Sequence, residues 1–107
     1  MSRTGWKGAE RKAAALINGK RYPASMGGPV DVESDGWCGQ VKERRRLSLA
    51  QLETLALEIT RIAETRRKAG VVIVKRSAGP GRPTPWLFIV TEQTWRAMNG
   101  AIPGEGA

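Results

Sequence analysis

The sequence of 107 residues contains no histidine and only one cysteine, Cys38. Without histidine, the chain cannot form Ser-His-Asp triads, histidine-dependent nuclease sites, Cys-His protease sites or zinc fingers with mixed cysteine and histidine ligands. Without a second cysteine it cannot form an intrachain disulfide. The absence of disulfides is typical of proteins in the reducing cytoplasm. We therefore expect a cytoplasmic protein whose chemistry does not depend on imidazole.

Long hydrophobic runs are also missing. No apolar run exceeds five residues, as in Trp86 to Val90, whereas a helix that crosses a bilayer needs about 20. The N-terminal residues MSRTGWKGAERK lack the apolar segment found in signal peptides. We therefore expect no membrane partner.

Acidic residues are outnumbered by basic ones. The chain has 10 Asp and Glu against 18 Lys and Arg, which gives a net charge of +8. Such an excess suits a nucleic acid, because each phosphate that a cation neutralises releases condensed counterions. A basic protein without a nucleic-acid role remains the alternative.

The chain has the length of a single domain, residues 1–107. It contains enough apolar residues for one core.

Hydrophobic periodicity predicts a helix, a β-hairpin, a second helix, two strands and a third helix, in that order. The predicted helices cover residues 5–17 and 49–69, a short third helix is expected from a cap at Thr91 to about Asn99, and the hairpin covers residues 29–43. Asp35-Gly36 is the expected two-residue turn of the hairpin. Ser48 and Gln51 have the spacing of a capping box, and Gly70 is expected to end the second helix.

The rest of the chain predicts strands and irregular segments. Two apolar runs, Val71 to Val74 and Trp86 to Val90, are expected as buried strands. The Gly/Pro-rich residues 77–85 predict a mobile loop, and residues 100–107 a flexible tail. The order of elements indicates an α/β fold in which helices flank a mixed central sheet. Three tryptophans are expected in the core, namely Trp6, Trp86 and Trp95.

The hairpin is the segment that points to chemistry. A turn at Asp35-Gly36 places Asp31 opposite Gln40, with Cβ atoms about 5 Å apart. Lys42 lies two residues beyond Gln40 and points to the same face. A carboxylate, an amide and a lysine are therefore expected to converge on one patch. The alternative is that they are ordinary polar residues of a solvated strand face.

This combination suits a divalent cation next to a phosphate. Mg²⁺ prefers oxygen ligands and retains several waters. The Asp31 carboxylate, the Gln40 amide oxygen and the Val41 backbone carbonyl are candidate ligands for Mg²⁺ or Mn²⁺. Lys42 is a candidate to orient the attacking water or to stabilise charge on the phosphate.

Glu10 is a candidate fourth member of the site. It lies at the edge of the apolar face of the first predicted helix, so it can point toward the sheet. There its carboxylate could bind a metal directly or through water. The alternative is a solvated carboxylate paired with Lys7 or Arg3.

The ordered set of Glu10, Pro29-Val30-Asp31 and Gln40-Val41-Lys42, followed by a long helix and two strands, resembles the core of the PD-(D/E)XK nucleases. With Lys7-Gly8-Ala9-Glu10-Arg11 in its first helix, the chain is most similar to archaeal-type and phage Holliday junction resolvases. The resemblance spans about residues 5–98. It implies a restriction-endonuclease-like fold and a Mg²⁺-dependent endodeoxyribonuclease in a bacterial, archaeal or phage-infected cell. The catalytic residues that it implies are Glu10, Asp31, Gln40 and Lys42.

Two departures from the family pattern affect this interpretation. Val30 separates the motif proline from Asp31, and Gln40 stands where the family usually has Asp or Glu. A neutral amide removes one negative charge, so the site should hold Mg²⁺ more weakly. One alternative is therefore a catalytically weak or inactive DNA-binding protein on the same fold. The other is a restriction- or repair-type nuclease with a different DNA substrate.

Basic residues adjoin this candidate site in three groups. They are Lys7, Arg11 and Lys12 in the first helix, Arg44, Arg45 and Arg46 after the candidate lysine, and Lys75, Arg76 and Arg82 around the predicted loop. Together they suit phosphate contacts on both sides of a cut, although each group alone is also typical of a solvated surface. We expect recognition of DNA shape, and the symmetric strands of a branched substrate imply a C2 homodimer.

Overall fold

A computed structural model describes residues 2–22 and 28–99, with side chains for residues 8–22 and 28–98. The predicted tail at 100–107 and the side chains of Trp6 and Lys7 lie outside these residues. The described residues form three helices and five strands, which are α1 (Ser2–Leu16), β1 (Lys20–Arg21), β2 (Val32–Glu33), β3 (Trp37–Arg44), α2 (Leu49–Thr65), β4 (Ala69–Arg76), β5 (Trp86–Ile89) and α3 (Glu92–Asn99).

The five strands form one mixed sheet in the order β1-β2-β3-β4-β5. β3 and β4 are parallel and are connected through α2, whereas the other neighbouring strands are antiparallel. The prediction of an α/β fold with helices around a mixed sheet is confirmed. The sequence does not predict β1, because two polar residues cannot show hydrophobic alternation.

The two faces of the sheet pack against different helices. α2 covers one face, in a core formed by Val30, Cys38, Ala56, Ile59, Ala63, Val72 and Val74. α1 covers the other face, in a core formed by Ala13, Ala14, Val32, Val41, Val71 and Ile73. β4 contributes alternate residues to both cores, which confirms that Val71 to Val74 is buried on both faces. The same alternation along β3 directs Gln40 and Lys42 toward α2 and Val41 toward α1.

The predicted N-terminus of α2 is confirmed, whereas its predicted C-terminus is wrong. The capping box is present, because Ser48 Oγ accepts from the Gln51 N–H at 3.1 Å and Gln51 Oε1 accepts from the Ser48 N–H at 2.8 Å. The helix ends at Thr65 rather than near residue 69, and Arg67 adopts a φ of 57° just after it. The prediction that Gly70 ends α2 is wrong. Gly70 lies in β4, where a Cβ would come within 2.7 Å of the Thr60 backbone, so it permits close packing of helix and strand.

The predicted burial of the C-terminal elements is wrong in two places. β5 pairs only with β4 within the described residues, and Leu87 and Phe88 are 48% and 44% exposed. Trp95 in α3 is 48% exposed rather than in the core, whereas Trp86 is half-buried against the α1-side core. Among the described residues β5 is therefore an edge strand, although its apolar run predicts a buried one. Periodicity alone does not show whether a further strand or helix covers an apolar strand.

Candidate active site at the edge of strand β3

The hairpin carries a β-bulge at the position where the sequence predicts regular pairing. Val32 pairs with Gly39 and Glu33 pairs with Cys38, as the turn predicts. The predicted pair of Asp31 and Gln40 is not formed, because the Asp31 N–H donates to the Gly39 carbonyl at 2.9 Å. Two residues of one strand thus face one residue of the other, which is the geometry of a bulge.

The bulge turns the Asp31 side chain toward the backbone of β3. Asp31 Oδ2 accepts a hydrogen bond of 2.8 Å from the Val41 N–H. The N–H and C=O of one strand residue point to the same edge of the strand, so the Val41 carbonyl faces this edge as well. The Asp31 carboxylate therefore lies at the edge of β3 beyond the end of β2, against the peptide that joins Gln40 to Val41.

Glu10 reaches the same region from α1. It is 6% exposed, and its Oε1 lies 3.3 Å from Arg21 Nη1 in β1. Glu10 is therefore a buried carboxylate paired with Arg21 rather than a solvated one, and the side chains of Lys7 and Arg3 lie outside the described residues. The sequence carries no signal for Arg21, because β1 is too short to be predicted.

The pKa of Asp31 is raised above its ordinary range, and the causes identify its neighbours. Burial is the largest cause, and the negative charge of Glu10 raises the pKa further. The hydrogen bond from Val41 and the positive charge of Lys42 lower it, but by less. Glu10, Asp31 and Lys42 are therefore close enough to interact. A half-buried carboxylate next to a second, buried one is typical of a site that can take up a cation or a proton.

Gln40 is buried beside this edge on the α2 face. It is 7% exposed, and its Nε2 donates to Glu58 Oε1 at 3.4 Å. Its Oε1 is buried without a hydrogen-bond partner. The sequence offers a signal for Glu58, since it lies three residues after Leu55 and four before Ile62, on the apolar stripe of α2.

The donor set determines which metal this region could hold. In the described part of the chain, no group of three or more His, Cys, Asp or Glu is close enough to bind a metal ion. An ion held here would need the carboxylates of Glu10 and Asp31, the orphaned oxygen of Gln40 and the Val41 carbonyl, together with water. Mg²⁺ is commonly bound through only one or two carboxylates with several waters retained, so the chemistry of these oxygen donors suits Mg²⁺ or Mn²⁺.

The Glu33 carboxylate is already paired with other side chains and does not supply a further metal ligand. It pairs with Arg66 and Lys68 at 2.5 Å each and accepts a hydrogen bond from the Tyr22 hydroxyl. Burial alone would raise the pKa of Glu33, but the hydrogen bonds from Lys68 and Tyr22 and the charges of Arg66 and Lys68 hold it below its usual range. This network ties β2 to the end of α2.

Most of the predicted DNA-binding residues collect at one end of the sheet. Arg44 and Arg76 are direct neighbours in the parallel ladder of β3 and β4, and both are exposed. The Lys75 ammonium lies 5.2 Å from the centre of the Trp86 ring. The other exposed cations near this end are Arg45, Arg46 and Arg82, whereas Arg11 and Lys12 are exposed on α1. This end of the sheet therefore concentrates positive charge, and like charges in adjacent strand positions repel.

Comparison of the chain with protein-family models, curated proteins and solved structures gave no match. Among residues 2–22 and 28–99, none of the helices has the length and apolar character needed to cross a membrane.

Proposed function

We propose that this chain is a Mg²⁺- or Mn²⁺-dependent DNA endonuclease with a restriction-endonuclease-like core, and that it cuts branched DNA such as a Holliday junction. The observation that carries the proposal is the Asp31 carboxylate at the open edge of β3. It is half-buried, its pKa is raised, and it interacts with both Glu10 and Lys42.

Each residue of the site has a distinct task in hydrolysis of a phosphodiester. Glu10, Asp31, the Gln40 oxygen and the Val41 carbonyl would hold the metal, which when bound lowers the pKa of a water and offsets charge on the phosphate. The Val41 N–H fixes the Asp31 carboxylate in one orientation. The Lys42 ammonium would donate to a phosphate oxygen as negative charge develops there.

The adjacent arginines on β3 and β4 support contact with the DNA backbone. We expect the Arg44→Ala/Arg76→Ala double variant to bind a four-way junction more weakly at low salt. If each arginine neutralises one phosphate, the slope of log K against log salt should become shallower by about 2. The measurement is fluorescence anisotropy of a labelled junction at several salt concentrations.

Arg61→Ala is the matched control, because Arg61 is exposed on α2 and is not part of this cluster. Its salt slope should stay close to that of the unmodified protein. An unchanged slope in the double variant would place the DNA away from this end of the sheet.

Gln40→Glu tests whether position 40 lies in the metal site. A carboxylate there restores the charge that the amide lacks, so we expect Mg²⁺ to bind about tenfold more tightly. Titration calorimetry without DNA measures the affinity directly. Gln93→Glu adds the same charge on the exposed face of α3 and should leave it unchanged. Equal affinities for Gln40→Glu and the unmodified protein would place residue 40 outside the metal site.

A second candidate function follows from the small number of carboxylates. Two carboxylates and a neutral amide favour weak metal binding, which is compatible with an inactive DNA-binding protein on the same fold. Incubation with labelled four-way junctions, duplexes and single strands, with and without Mg²⁺ or Mn²⁺, separates the two. Metal-dependent cutting of the junction alone supports the nuclease, whereas binding without cutting under every condition supports the inactive protein. Cutting of all duplexes would instead indicate a restriction- or repair-type nuclease.

The homodimer is part of the proposal, because two strands of a junction must be cut symmetrically. A C2 dimer presents two identical sites to two related strands. Light scattering with and without a junction measures the mass of the assembly. A protein that stays monomeric on the junction would limit the activity to single cuts.

A further inference from the structure

The contact between Gln40 and Glu58 leaves one polar atom unexplained. Gln40 donates through Nε2 to Glu58, and its Oε1 is buried with no hydrogen-bond partner. Burial of an unsatisfied amide oxygen costs stability, so native structures contain few such atoms. The cost is easier to understand if the oxygen has a ligand that is not part of the polypeptide.

The two ends of an amide are not equivalent toward a carboxylate. An ionised carboxylate only accepts hydrogen bonds, and of the amide atoms only the nitrogen donates. The Glu58 carboxylate therefore selects the orientation in which Nε2 faces α2 and Oε1 faces away from it. Gln40 lies two residues before Lys42 on the same face of β3, and Asp31 contacts the peptide that follows it. The selected orientation thus leaves the oxygen without a protein partner, on a residue whose following peptide contacts the proposed metal ligand Asp31.

We propose that Glu58 is a positioning residue, which orients the Gln40 amide so that its oxygen is presented to a divalent cation. The inference rests on the proposed function, because it requires that Gln40 ligates the metal. It also explains how a neutral residue serves where a carboxylate is expected. A carboxylate offers an oxygen in either orientation, whereas an amide needs a partner that holds its nitrogen.

A double-mutant cycle tests this directly with Mn²⁺ as the probe, titrated by calorimetry without DNA. Glu58→Ala should weaken Mn²⁺ binding about tenfold in the otherwise unmodified protein, as is typical when the partner that orients a ligand is removed. In the Gln40→Glu background the same substitution should cost less than about twofold. It should even tighten binding there if two adjacent carboxylates repel each other.

Two further variants separate orientation from general effects. Glu53→Ala removes the same charge from an exposed position of α2 and should leave Mn²⁺ affinity unchanged in both backgrounds. Glu58→Gln accepts from Gln40 or donates to it, so it no longer selects one orientation and should lose part of the affinity. Circular dichroism melting of each variant shows whether it remains folded at the temperature of the titration.

The outcomes distinguish this inference from the proposed function. Equal losses from Glu58→Ala in both backgrounds would show that Glu58 acts only through its charge, and no loss in either would show that it has no role. Both results overturn the inference and leave the nuclease proposal intact. If the unmodified protein neither binds Mn²⁺ nor cuts a junction, the proposed function fails, and the inference fails with it.

Discussion

Asp31→Asn should lower the rate of junction cutting by at least about 100-fold, while the folded protein becomes no less stable. The carboxylate is the central ligand of the proposed site, and an amide lacks the charge that holds the cation. Asn can still accept the hydrogen bond from the Val41 N–H through its own oxygen, so the bulge should persist. Binding of the junction should change little, because Asp31 is not a phosphate contact.

The sign of the stability change follows from the pKa of Asp31. Burial and the charge of Glu10 raise this pKa, so the folded protein holds a proton on Asp31 more readily than the unfolded chain does. Ionisation then costs folding free energy, and this cost grows as pH rises through the ordinary and the raised pKa. Asn cannot ionise, so at neutral pH its melting temperature should equal or exceed that of the unmodified protein.

Single-turnover cutting of a labelled junction and thermal melting at neutral pH measure the two effects. Asp35→Asn, at the exposed hairpin turn, is the matched control and should alter neither. Cutting that survives Asp31→Asn would remove Asp31 from the site. A large fall in melting temperature would show that the charged form of Asp31 stabilises the fold, contrary to the direction of its pKa.

Lys42→Ala should lower cutting by about 100-fold, since it removes a donor that acts on charge developing in the transition state. It should also shift the pH dependence of any residual activity. Lys42 lowers the pKa of Asp31, so its loss should raise that pKa and move the acid limb of the profile to higher pH. Junction affinity should fall by less than about tenfold, because only one cation is lost.

Two comparison variants define the role of Lys42. Lys42→Arg keeps the positive charge but changes its geometry, and it should recover part of the rate and restore the position of the acid limb. Lys20→Ala removes an exposed lysine of β1 and should leave both unchanged. If Lys42→Ala reduces junction affinity and cutting by equal factors, Lys42 is a DNA contact rather than a catalytic residue.

Local patterns account for the parts of the fold that sequence analysis predicts correctly. The Ser48 capping box, the run Val71 to Val74 and the pairing of Glu33 with Cys38 each depend on a few neighbouring residues. Thr91 also caps α3 as expected, with its Oγ1 accepting from the Thr94 N–H at 3.2 Å. In each case periodicity or a hydrogen bond within a few residues determines the structure.

The site itself depends on contacts that are distant in sequence. At the bulge the Asp31 carboxylate accepts from the Val41 N–H, which a count of residues from the hairpin turn cannot show. Arg21 contacts Glu10 from the two-residue strand β1, and Glu58 contacts Gln40 from helix α2. Sequence order therefore predicts which residues are chemically suited to the site, but not how the Asp31 carboxylate is oriented or which residues hold Glu10 and Gln40.

The location of a bound Mn²⁺ ion tests the proposed site most directly. Anomalous scattering from crystals grown with Mn²⁺ should show a peak about 2.1 Å from an Asp31 oxygen, with the Gln40 oxygen or the Val41 carbonyl also among its ligands. The peak should disappear in Asp31→Asn crystals grown under the same conditions. A protein that cuts junctions with Mn²⁺ but carries its only ordered ion away from Asp31 would contradict this assignment.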